Sequence, residues 1–185
     1  LRAAHISVID NINFEWEFDE NKKFIIQNLI KYFINDPSCA WPLNKGIFLY
    51  GMPGTGKTEM MMAAQRFCYD YGFTKAFELC SLSEIYTTAK ANKEFDPVTP
   101  NSQGERCFDE FGRHTGAVIR FGDGLDINEA IIERRYERKR RYGQLTHFIA
   151  NATPNELEGA FSQMVFDRLK SMCTSIHVTG QSKRK

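Results

Sequence analysis

The chain has no C-x-x-C pair and no zinc-like spacing among its five cysteines and four histidines, which excludes the common structural metal sites. The odd number of cysteines (Cys39, Cys68, Cys80, Cys107 and Cys173) excludes a fully paired disulfide framework and reads as reduced core thiols of a cytoplasmic protein. No stretch approaches the roughly 18 apolar residues of a membrane span, and Leu1 to Asp10 lacks the apolar core of a secretory signal. Net charge is only +1, so no global field recruits nucleic acid or membrane, and any such binding must come from a local patch. Internal repeats are absent. The chain begins at Leu1 and not at methionine, so an N-terminal domain ahead of it stays open.

What is present is the composition of one globular domain. Of 185 residues, 42% are hydrophobic and 25% charged, enough to bury a core without staples. Residues 1–45 form an N-terminal segment carrying an amphipathic helix from Asp19 to Asn35. Residues 46–180 form the core, and residues 181–185 a basic tail. Strands are expected at Gly46–Tyr50, Ala76–Cys80, Arg106–Phe108, Leu145–Ala150 and Ser175–Val178. Helices are expected at Thr58–Tyr71, Leu82–Ala91, Asp126–Tyr142 and Asn155 to about Lys170, with loops at Asn92–Glu105 and in the glycine-bearing insertion Arg113–Leu125. Alternating strands and helices imply right-handed βαβ units, hence an α/β fold with a mostly parallel sheet covered on both faces.

Between the first strand and its helix, Gly51-Met52-Pro53-Gly54-Thr55-Gly56-Lys57-Thr58 fills every fixed position of the phosphate-binding loop G-x-x-x-x-G-K-[ST]. A buried strand that delivers a tight glycine turn to a helix N-terminus aims successive N–H groups and the helix dipole at one polyphosphate. Lys57 then reaches the β and γ oxygens of ATP, and Thr58 offers its hydroxyl to Mg²⁺. Roughly 50 residues on, Asp109 and Glu110 end a short strand, where ligands of open α/β sheets bind. Asp109 suits the metal and Glu110 the activation of water. Asn151 ends a further apolar strand and suits hydrogen bonding to the attacking water and the γ-phosphate.

With these residues the chain resembles the AAA+ ATPases, a three-layer αβα P-loop fold with a RecA-like core of five strands. Within them it is similar to the DnaC/DnaI-type replicative helicase loaders and the related IstB transposition helpers. The resemblance rests on the P-loop, on Phe108-Asp109-Glu110-Phe111-Gly112, on Ile131-Ile132-Glu133-Arg134-Arg135-Tyr136, on Asn151, on Phe166-Asp167-Arg168-Leu169 and on Gly180-Gln181-Ser182-Lys183-Arg184. It implies Arg168 as an arginine finger offered to a neighbouring subunit, hence self-assembly, and Arg184 as a second sensor. It also implies ATP hydrolysis in DNA replication, beside a replicative helicase.

Six cations, Arg134, Arg135, Arg138, Lys139, Arg140 and Arg141, crowd eight residues. They read either as a solvated helix end or as a phosphate-tracking surface for single-stranded DNA, with Tyr136 or Tyr142 for stacking. Two functional alternatives remain at this point: a nucleotide-dependent interaction switch, or a transposition helper with little turnover. A small-molecule kinase is disfavoured because no arginine-rich lid follows the P-loop, and guanine specificity because no N-K-x-D occurs.

Overall fold

The computed structural model describes residues 19–114, 116–120 and 123–180. Helix α1 (Glu20–Phe33) starts where Asp19 caps it, the carboxylate accepting the Lys22 N–H at 2.8 Å. Strand β1 (Gly46–Tyr50) runs into the glycine loop and then α2 (Lys57–Tyr71), which Gly72 closes in the left-handed conformation. There follow β2 (Glu78–Ser81), α3 (Leu82–Ala91), a 3₁₀ turn (Pro100–Ser102) and β3 (Arg106–Asp109). A hairpin of β4 (Val118–Arg120) and β5 (Asp123–Leu125) precedes α4 (Ile127–Tyr142) and β6 (Thr146–Ala150). Helices α5 (Pro154–Ala160) and α6 (Gln163–Met172) lead to β7 (Cys173–His177).

The five-stranded sheet has the order β2-β3-β6-β1-β7, and every pairing in it is parallel. Alternation along β1 splits the core in two. Ile47 and Leu49 face α1 and α2, with Ile25, Phe33, Met61 and Phe67. Phe48 faces the other layer, with residues of α3, α4, α5 and α6 such as Ala89, Ile131, Leu157 and Phe166. The result is a three-layer α/β/α fold with all strand C-termini on one edge of the sheet.

Two expectations are corrected. The glycine-bearing insertion contains the β4–β5 hairpin, which no strand-like alternation announced. The helix expected from Asn155 to Lys170 is two helices, because Phe161 and Ser162 are extended (ψ 162° and 147°). That break turns Phe161 inward, where its ring stacks on Phe111 at 5.2 Å between centroids.

Candidate nucleotide-binding site

At the end of β1 the chain enters the loop through Gly51 at φ +147°, and Gly54 and Gly56 follow at +78° and +91°. Gly51 is constrained twice, since a Cβ there would lie 2.3 Å from the Val178 carbonyl oxygen. Gly56 sits at the N-cap of α2 with no side-chain cap, so the positive end of the helix dipole faces the loop. Thr55 Oγ1 donates to the Met52 carbonyl at 2.9 Å and holds the loop's shape. The Lys57 ammonium lies inside the loop and donates to the Gly51 and Met52 carbonyls, at 2.8 Å each.

The strand-end acids meet this loop. Thr58 Oγ1 donates to Asp109 Oδ2 at 2.8 Å, joining α2 to the tip of β3. Burial pushes the Asp109 carboxyl above its ordinary range, against the pull of the Thr58 and Glu110 hydrogen bonds. A cation at the Thr58–Asp109 pair would reverse that. Among the described residues no group of three or more His, Cys, Asp or Glu could hold a metal. Two hard oxygens plus ligand phosphates is the arrangement that Mg²⁺ favours, and this pair fits it.

Glu110 has left-handed backbone (φ +59°), uncommon for a residue with a Cβ. Its carboxylate pairs with Arg113 and accepts from Ser81 Oγ at 3.3 Å, across from the end of β2. Burial raises its pKa, but the polar groups of Ser83, Arg113 and Ser81 outweigh burial and hold it below the ordinary value. Sequence reasoning missed Arg113 and Ser81. The available signal was positional, since Arg113 follows Glu110 by three and Ser81 lies at the tip of the neighbouring strand. Arg106, an odd residue for a core strand, is explained by an ion pair with Glu78 at 2.6 Å on the sheet's edge.

Asn151 lies one residue past β6 and is exposed. Tyr50 pairs with Ala150 as the last pair of the two strands, so Asn151 leaves the sheet on the same edge as Gly51, from the neighbouring strand. The phosphate loop, Asp109, Glu110 and Asn151 thus share one edge of the sheet.

Arg168 is elsewhere: on α6 it pairs with Glu133 of α4 at 3.2 Å and lies 5.4 Å from the Tyr136 ring. Arg184 falls outside the described residues. The basic run divides. Arg135 is 0% exposed and donates to Thr146 Oγ1 and to the Ser102, Gly104 and Leu145 carbonyls, so it is removed from any DNA-facing set. Lys139 donates to the Ser171 and Met172 carbonyls at the end of α6. Arg134, Arg140 and Arg141 are exposed; Arg138 lies over the exposed Tyr142 ring at 5.0 Å.

No protein-family model matches the chain, and no curated protein matches it in sequence. Among solved structures it is similar to DnaI, with a TM-score of 0.70 and 13% identity over 100% of this chain and 94% of that one. It is similar to the DnaC helicase loader, with a TM-score of 0.66 and 13% identity over 97% and 100% of the two chains. The replication initiator DnaA bound to AMPPCP and single-stranded DNA gives a TM-score of 0.65 and 14% identity over 95% of this chain and 50% of that one. No helix among the described residues is long and apolar enough to cross a membrane. At such identities the likeness establishes the fold alone: the chain shares the three-layer α/β/α fold of these structures.

Proposed function

We propose that the chain binds ATP with Mg²⁺ and hydrolyses it, as a helicase-loader-like ATPase of DNA replication acting with a helicase and single-stranded DNA. The observation that carries the reading is the 2.8 Å bond from Thr58 to Asp109, which brings the phosphate loop and the strand-end acids into one site. The loop's N–H groups and the α2 N-terminus bind the phosphates, and Lys57 leaves its carbonyl partners for them. Thr58 and Asp109 would hold Mg²⁺, and the ion would supply positive charge to offset the negative charge developing on the phosphoryl oxygens. Glu110 takes a proton from the attacking water once its carboxylate is released from Arg113, and Asn151 orients that water toward the γ-phosphate. Arg168, presented by a second copy, adds positive charge at the transferring group. Arg184 is assigned the second-sensor role by resemblance. Single-stranded DNA is met by Arg134, Arg138, Arg140 and Arg141, with Tyr142 for stacking. The fold of DnaI and of the DnaC helicase loader supports the replicative setting.

One observation favours a second reading. Glu110 is engaged by Arg113 and Ser81, and a chain in which that engagement persists would act as a nucleotide-dependent interaction switch with little turnover. Either reading requires the loop. Lys57→Ala is expected to abolish ATP binding in a calorimetric titration while leaving the unfolding midpoint unchanged within a few degrees. Undiminished ATP affinity in that variant would remove the assignment.

A further inference from the structure

Helices α4 and α6 lie side by side, and two acids one turn apart on α4 reach across to α6. Glu129 Oε1 accepts the N–H of Ser162, the N-cap of α6, at 3.1 Å. Its role is architectural, since it satisfies a helix-end donor. Glu133 has no such duty. Its Oε1 accepts one N–H of Arg168 at 3.2 Å, from a carboxylate side chain that is 58% exposed. The arginine is less open, at 19%, because its guanidinium lies against Tyr136, whose ring also has Arg140 at 5.9 Å. Arg168 is thus a cation with a fixed aromatic support and a loosely held, solvent-facing anion.

Guanidinium presents five N–H donors in a fork that matches phosphate oxygens two at a time, and the Glu133 contact uses one of them. We infer that Glu133 is a placeholder: in the single chain it fills the anion position of Arg168 that terminal phosphate oxygens bound to a second copy fill on assembly. The inference rests on the reading of Arg168 as a residue offered between subunits. It adds that the isolated chain holds this arginine in reserve, so assembly begins with an exchange of anions. A half-exposed ion pair biases such an exchange only a few-fold, which suits a latch that must open. The Tyr136 ring remains as the platform from which the guanidinium is presented.

The test is steady-state release of phosphate from Mg-ATP across a wide range of protein concentration, for the wild type, Glu133→Gln, Arg168→Ala and the double variant, each checked by thermal unfolding. Glu133→Gln is expected to lower the protein concentration for half-maximal activity by roughly 2- to 5-fold. Its unfolding midpoint should stay within a few degrees, and Arg168→Ala should cancel the gain in the double variant. If Arg168→Ala removes the rise with concentration but Glu133→Gln leaves the curve in place, Arg168 works between subunits and the placeholder is overturned. A wild-type rise that survives Arg168→Ala overturns the intersubunit role itself, and the placeholder with it. A Glu133→Gln protein that melts much earlier and gains nothing shows the pair to be a structural clamp, which also overturns the inference.

Discussion

His147 supplies the partner for a sheet N–H that the backbone of β6 does not reach. Ile47 N–H donates to its Nδ1 at 3.0 Å, and the ring is enclosed by Tyr32, Phe33 and Phe77 at 5.9, 5.6 and 5.1 Å between centroids. Burial pushes the imidazole from 6.5 down to about 3, with Arg135 and Lys75 adding to the effect. The folded pKa lies below the unfolded one, so the unfolded chain binds the extra proton. Stability is complete above the unfolded value and is lost as pH falls from it toward the folded value. From about pH 7 to about pH 5 the loss from this group is ~2 kcal/mol. Urea unfolding of the wild type against His147→Asn, which keeps an acceptor for Ile47 without a titrating ring, should show that difference; parallel curves would refute it. None of this was legible beforehand, because a lone histidine in an apolar strand carries no mark of the N–H it accepts. The phosphate loop was legible residue by residue, since its chemistry fixes contiguous residue types. Arg113 and Ser81 were not, because Ser81 meets Glu110 only through the sheet order.

Among the elements, α4 is the one whose sequence misled. A run of cations looks uniform in sequence, yet its third turn buries Arg135 against the 3₁₀ turn, the residues ahead of β3 and the start of β6, where three carbonyls and one hydroxyl accept its N–H groups. Glu105, held above its ordinary pKa by burial, compensates the charge from nearby. Arg135→Ala is therefore expected to cost about 3 kcal/mol in denaturant unfolding, because buried acceptors and a buried carboxylate lose their partner. Replacing Arg134, Arg138 and Arg141 together by Ala should leave stability within about 1 kcal/mol and weaken single-stranded DNA binding. The log–log salt slope should then shrink by about 2, at ~0.7 per phosphate contact. An unchanged slope would place DNA elsewhere or nowhere on the chain. Element ends were legible where a capping residue stands at the end of a pattern, as at Gly72 after α2 and Asp126 before α4. The α5–α6 break was not. Its cause is the tertiary seat of Phe161 against Phe111, and no local proline or glycine pair marks it.

At the scale of the whole molecule, alternating strands and helices gave the parallel sheet and its two covered faces, while the order β2-β3-β6-β1-β7 had to come from the structure. That order decides what the protein can do. It sets β6 beside β1 and β3 beside β6, so the ends of three neighbouring strands bring Asp109, Glu110 and Asn151 to the edge that carries the phosphate loop. The central claim, that this edge hydrolyses ATP, is tested most directly by Glu110→Gln, measuring calorimetric affinity for Mg-ATP and phosphate release on the same protein. The account predicts wild-type affinity with turnover reduced by about 10²-fold or more, the effect of losing a general base. Turnover equal to wild type, with Mg-ATP bound as tightly, would contradict it.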